Sequence, residues 1–130
     1  MAKHTEVGEI GEHIAAKYLQ QQDHAILDCN FRRTWGELDI VSERGGVVHF
    51  VEVKTVSYET KSELQIATRS GTYRPEEQID DKKLQKLKRT ISSWVTANQY
   101  TGDVQLDVVS VRVVIANKYA TVEYFSNVSL

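Results

Sequence analysis

The chain has 130 residues, 41% hydrophobic and 26% charged, with 7 Gly and 1 Pro; this ordinary globular composition excludes a disordered tail, a collagen-like repeat and a low-complexity linker. Its 16 Lys and Arg against 18 Asp and Glu give a formal net charge of −2. That excludes a coat that holds nucleic acid by overall basic charge, so any nucleic-acid contact rests on a local patch.

No apolar run approaches the roughly 18 residues of a membrane span. The lone Cys29 cannot form an internal disulfide, so a cytoplasmic protein without membrane contact is expected. Length and the lack of repeats predict one domain over 1–130.

Residues 7–21 place Val7, Ile10, Gly11, Ile14, Ala15 and Tyr18 at helical spacing, which predicts a first helix. Residues 25–31 roughly alternate, as a strand does. Residues 36–42 alternate more clearly, with Leu38 and Ile40 expected on one face. The apolar run at 47–53 follows Gly45-Gly46, a hairpin signal because a two-residue primed turn needs positive φ. Residues at about 55–75 show no period and are expected to be a long loop. Pro75-Glu76-Glu77 predicts a helix start, with acids near the positive end of the dipole, and the helix runs to 98. Strands at 104–115 and 119–125 complete the order α-β-β-β-α-β-β. This is an α/β fold with a central mixed sheet flanked by helices. Cys29 is expected to be a small core residue.

Three charges interrupt apolar strands: Asp39, Glu52 and Lys54. Counting outward from Gly45-Gly46 places Asp39 opposite Glu52 and Glu37 opposite Lys54, all four on one face. Facing carboxylates with Cβ atoms about 5 Å apart destabilise a sheet. The clash is relieved if one carboxyl is protonated or if a divalent cation sits between them. A solvated ion network with a Glu37–Lys54 bridge at the rim is the plainer alternative. On the later helix Leu84, Leu87, Ile91, Trp94 and Val95 form a core stripe, and Lys82, Lys86 and Arg89 share the opposite side. Lys83 falls at the edge of the buried side, from which it either snorkels outward or reaches the carboxylates. Arg32 and Arg33, beside Trp35, suit phosphate contacts or base stacking.

Gly36-Glu37-Leu38-Asp39-Ile40-Val41 followed by Phe50-Val51-Glu52-Val53-Lys54 resembles the PD-(D/E)XK nuclease superfamily. More specifically it is similar to the YraN-type family of predicted endonucleases, related to Holliday-junction resolvases. Gly8-x-x-Gly11-Glu12, Asn30-x-Arg32, Pro75-Glu76-Glu77 with Lys83, and Asp107-Val108-Val109 extend the likeness from Gly8 to Val111. Leu38 stands where the superfamily has its nominal proline, and Val56 stands where relatives tend to carry Arg.

The resemblance implies a restriction-endonuclease-like fold and Mg²⁺- or Mn²⁺-dependent hydrolysis of DNA phosphodiester bonds, on branched or flapped substrates. It implies that Asp39 and Glu52 hold metal, that the Val53 carbonyl and Glu12 complete the shell, and that Lys54 handles the attacking water. Lys83, Arg32, Arg33, Lys82, Lys86 and Arg89 would contact nucleic acid, and a homodimer would suit a junction with two strands to cut. The alternative is a catalytically weak or inactive nucleic-acid-binding adaptor on the same fold.

Overall fold

The computed structural model describes residues 6–71 and 79–128. Its elements are α1 (Glu6–Gln21), β1 (Ala25–Arg33), β2 (Gly36–Arg44), β3 (Val47–Ser57), α2 (Lys61–Ser70), α3 (Asp81–Ala97), β4 (Asp103–Val114) and β5 (Tyr119–Val128). A single 3-10 turn, Ile115–Asn117, joins the last two strands. The strands lie in the order β1-β2-β3-β4-β5. Three neighbouring pairs are antiparallel, and β3 with β4 is parallel. A parallel pair needs a long crossover, and α2 and α3 supply it. The expected α/β architecture, a mixed sheet flanked by helices, is what the chain adopts.

Each face of the sheet buries its own cluster. Leu38, Val41, Val48, Phe50 and Leu106 pack against Leu87, Ile91 and Trp94 of α3. Ile40, Val51, Val109, Val111 and Val113 pack against Ala15 and Leu19 of α1. In α1 the buried positions are Gly11, Ala15 and Leu19, one every four residues along a single stripe. A Cβ on Gly11 would collide with the Thr55 side chain, so the missing side chain lets α1 lie directly on β3.

The expected long loop is corrected. β3 continues to Ser57, and residues Lys61–Ser70 form α2. Only Leu64 of that helix is buried and Ile66 is 63% exposed, so no apolar stripe announces it. Its ends carry the signal instead. The Thr60 side chain accepts from the Glu63 amide at 3.1 Å, and Gly71 closes the helix at φ 64°.

The proposed helix start at Pro75-Glu76-Glu77 lies outside the described residues. α3 itself begins with Asp80, whose carboxylate accepts from the Lys83 amide at 2.8 Å. Among the described residues no helix is long and apolar enough to cross a membrane.

Candidate active site

The β2–β3 hairpin turns through Gly45 and Gly46, at φ 59° and 80°, and its ladder runs from Arg44↔Val47 to Ile40↔Val51. One step further brings Asp39 and Glu52 together, as counting from the turn predicts. There the regular ladder stops. The Val53 amide donates to Asp39 Oδ2 at 2.8 Å, so a side chain replaces the next strand partner. The expected alternation breaks at the same place. Leu38 and Val41 pack toward α3, while Ile40 packs toward α1. Leu38 and Ile40 therefore do not share a face, and the irregularity at Asp39 swings its carboxyl into a cleft under α1.

That cleft, about 410 Å³, is lined by Glu9, Glu12 and His13 of α1, Cys29, Asn30 and Arg32 of β1, and Asp39 of β2. Glu12 is brought there because Gly11 seats α1 on Thr55. Asn30 sits in the left-handed region at φ 55°, which Asn tolerates better than most residues. In the amide orientation that suits its surroundings, its nitrogen donates to Glu12 Oε1 at 3.1 Å and Glu37 Oε1 at 3.3 Å. Arg32 Nε donates to the same Glu37 oxygen at 2.8 Å. Cys29 is exposed in this cleft, not a core residue. A register shift in β1 between Ile26 and Asp28 resets which side chains face outward.

Asp39 is buried, and its carboxyl is pushed up to about 9. Burial is the main cause, and the charge and hydrogen bond of Glu52 add to it against the pull of the Val53 amide. Lys54 is shifted the other way. Burial lowers its proton affinity first, and the neighbouring Lys83 ammonium lowers it further. Lys83 reaches over from α3 to within 3.9 Å of Glu52 Oε2. Two carboxyls and two lysines thus meet where β2 and β3 part.

Asp39 and Glu52 are the pair that could hold a cation. Their oxygen donors suit a hard divalent ion such as Mg²⁺ or Mn²⁺. Burial and the neighbouring Glu52 raise Asp39's proton affinity, and a cation held between the two carboxyls would offset both effects. Among the described residues no three His, Cys, Asp or Glu side chains gather closely enough to hold a metal by themselves. Glu12 shares the cleft with Asp39 but does not complete such a group.

The remaining basic residues are more scattered. Lys82, Lys86 and Arg89 are exposed on α3 and contribute no ion pair to the carboxylates. The Arg89 guanidinium lies 4.2 Å from the Trp35 ring centre, and Arg33 lies 4.1 Å from that of Phe31.

A buried polar cluster sits elsewhere in the sheet. His49 Nδ1 is 2.6 Å from Asp107 Oδ2, His24 Nδ1 is 2.8 Å from Ser42 Oγ, and the imidazole centres are 4.6 Å apart. Tyr124 also donates to Asp107, whose other oxygen accepts from the Asn127 amide at 2.8 Å. Asp107 therefore satisfies backbone at the β4–β5 irregularity, in keeping with a structural residue.

A family model described as the uncharacterised protein family UPF0102 matches residues 11–111, a span that holds the hairpin, Glu12 and α3. This chain belongs to the UPF0102 family. UPF0102 is the YraN family, so the resemblance in the hairpin motif is borne out. A UPF0102 protein of Campylobacter jejuni is 31% identical over 105 residues, covering 81% of this chain and 82% of the relative. One of Christiangramia forsetii is 30% identical over 121 residues, covering 93% and 90%. A third UPF0102 protein, from Alkaliphilus oremlandii, is 33% identical over 117 residues, covering 87% and 89%.

Proposed function

We propose that this UPF0102 protein is a divalent-metal-dependent endonuclease that hydrolyses phosphodiester bonds in DNA, with branched or flapped molecules as substrates. The observation that carries this reading is the junction of Asp39 and Glu52 with Lys54 beside them, Asp39 lining the cleft under α1. Asp39 and Glu52 would hold the cation. When bound, it supplies positive charge beside the phosphoryl oxygens and acidifies a water.

The chain's own residues have separate tasks. The Val53 amide fixes the Asp39 carboxyl in place. Lys54, half-buried and with weakened proton affinity, holds the attacking water and takes part in moving its proton. Lys83, 3.9 Å from Glu52 Oε2, offsets the negative charge of Glu52 that a phosphate would otherwise meet. Phosphoryl transfer asks for little more than such positioning and charge.

The test is a panel of duplex, single strand, flap and four-way junction DNA with Mg²⁺ or Mn²⁺, run beside Asp39→Ala. Metal-dependent cutting by the wild type alone supports the reading. Cutting at the wild-type rate in Asp39→Ala overturns it. A homodimer on the four-way junction, which offers two strands to cut, suits this reading.

A second reading is a non-catalytic nucleic-acid-binding adaptor. What favours it is that no third ligand side chain joins Asp39 and Glu52 among the described residues. Salt-sensitive binding with no turnover on any of the four substrates selects it.

A further inference from the structure

We propose that Trp35, with Arg89 layered on it, forms a stacking site for an unpaired nucleobase beside the candidate active site. The proposal rests on the nucleic-acid part of the preceding reading and deepens it: it assigns the residues that would select, among those substrates, DNA with a single-stranded segment next to the bond that is cut.

Four observations converge on it. First, Trp35 sits in the turn between β1 and β2 and is only partly buried. It belongs to neither hydrophobic cluster, so core packing does not account for so large an aromatic residue. Second, the turn is held close on α3 by its backbone as well as by the indole, whose Nε1 edge is buried without a hydrogen-bond partner. The next residue, Gly36, lies so close to Thr90 that a Cβ would strike the Thr90 hydroxyl. Third, that docking carries Arg89, the residue before Thr90, to 4.2 Å from the indole centre. No carboxylate of the described residues pairs with Arg89, whose planar guanidinium can stack on a base as it stacks on Trp35. Fourth, Lys82 and Lys86 are exposed on the same helix as Arg89, three and four residues apart along it. They supply positive charge for a backbone that leads away from the stack.

The distance to the chemistry is short. Trp35 is four residues from Asp39 along the β2 path, about 13 Å at the ~3.3 Å rise of a strand. Trp35 and Arg89 lie on the α3 side and the Asp39 cleft opens under α1, so a strand whose base rests on Trp35 reaches the carboxylates by passing the end of the hairpin, where Lys83 of α3 approaches Glu52. Duplex DNA keeps its bases paired and stacked, so it gains nothing from this platform. A flap, a gap or a loosened junction does.

Binding is measured by fluorescence anisotropy in EDTA, where no turnover occurs. The probes are a labelled oligo-dT, a blunt duplex and a 5′-flapped duplex. Wild type is compared with Trp35→Leu, Trp35→Phe and Arg89→Gln, each checked by thermal melting. Stacking predicts that Trp35→Leu weakens the oligo-dT and flap complexes about 5- to 100-fold and leaves the blunt duplex unchanged. Trp35→Phe retains most of the affinity, and Arg89→Gln loses part of it on the unpaired probes.

Equal loss on duplex and single strand, or no loss on either, overturns the stacking site. A wild type that binds none of the probes overturns it as well. Metal-dependent cutting of the blunt duplex by Trp35→Leu is assayed separately. If that cutting persists while flap preference fails to appear in the wild type, the stacking site falls and the nuclease reading stands.

Discussion

Asp39 and Val53 are joined by a 2.8 Å hydrogen bond, the Val53 amide donating to Asp39 Oδ2, at the point where the β2–β3 ladder ends. The bond does two things at once. It satisfies a backbone donor that the broken ladder would strand, and it aims the carboxyl toward Glu52 in place of open solvent. Asn at position 39 can still accept from Val53 but cannot ionise, which separates the structural role of Asp39 from its charge.

Asp39→Asn therefore alters the pH dependence of stability. The Asp39 carboxyl titrates at about 9 in the fold against 3.8 in the unfolded chain, so the folded state favours the protonated form. Its stabilising share is fully present below the unfolded value and is lost as pH rises through the folded one. Between pH 5 and pH 8 the wild type should lose stability relative to Asp39→Asn, on the order of 1–3 kcal/mol. Millimolar Mg²⁺ or Mn²⁺ at pH 8 should restore the wild type and leave Asp39→Asn unmoved. Parallel melting curves for the two proteins at every pH and metal concentration would sink this account of the pair.

Lys54 and Lys83 divide two roles that a single lysine could not fill. Lys54→Met should lower metal-dependent cleavage by about 10²- to 10⁴-fold, the usual worth of a positioned proton-handling group. Lys83→Gln removes an ammonium that helps to depress Lys54's proton affinity, so Lys54 then holds its proton to higher pH. The limb of the pH–rate profile governed by Lys54 should move upward in Lys83→Gln. An unmoved profile with an unchanged maximum would show that the two side chains do not communicate.

Much of this arrangement was legible beforehand, for identifiable reasons. Gly45-Gly46 set the hairpin register by local turn geometry, and the register alone made Asp39 face Glu52. Lys83's place at the edge of the α3 stripe left two outcomes open, snorkelling outward or reaching the carboxylates, and the structure has it 3.9 Å from Glu52 Oε2. What escaped notice depends on long-range or irregular structure. Leu38 and Ile40 point to opposite sides because the ladder breaks between them, and strict alternation has no term for that. Asn30 works through a left-handed backbone, and His24, Ser42, His49, Asp107 and Tyr124 come from five separate segments with no common spacing. α2 was visible only in its Thr60 and Gly71 caps, since one buried Leu64 gives no period.

Buried His24 predicts an acid-sensitive fold. His24's proton affinity is lowered by burial first and then by His49 and Arg44, with Asp107 and Asp23 opposing. A depressed folded value means that stability is present above the ordinary value of 6.5 and is lost as pH falls below it. His24→Asn should show a smaller fall in melting temperature than the wild type between pH 7.5 and 5.5. Asp39 contributes with the opposite sign over that range, so the comparison is made in an Asp39→Asn background. The same slope in both proteins there would remove His24 from the account.

Gly11 and Thr55 couple the first helix to the site. A Cβ on Gly11 would overlap the Thr55 hydroxyl and its neighbouring carbons, so Gly11→Ala must lift α1 from β3 or displace Thr55. Either shift moves Glu12, the next residue, relative to Asp39 across the cleft. Overpacking of this kind costs roughly 1–3 kcal/mol. Thr55→Ala removes the hydroxyl and methyl that Gly11→Ala meets, so the double variant should recover part of that loss in a double-mutant cycle. Its cleavage activity should recover with stability if Glu12's position matters to the site. Restored stability with activity still depressed would place Thr55 itself, two strand positions from Val53 and beside Lys54, among the groups the reaction needs. Additive losses of stability, with no coupling between the two substitutions, would mean that α1 settles elsewhere than on Thr55.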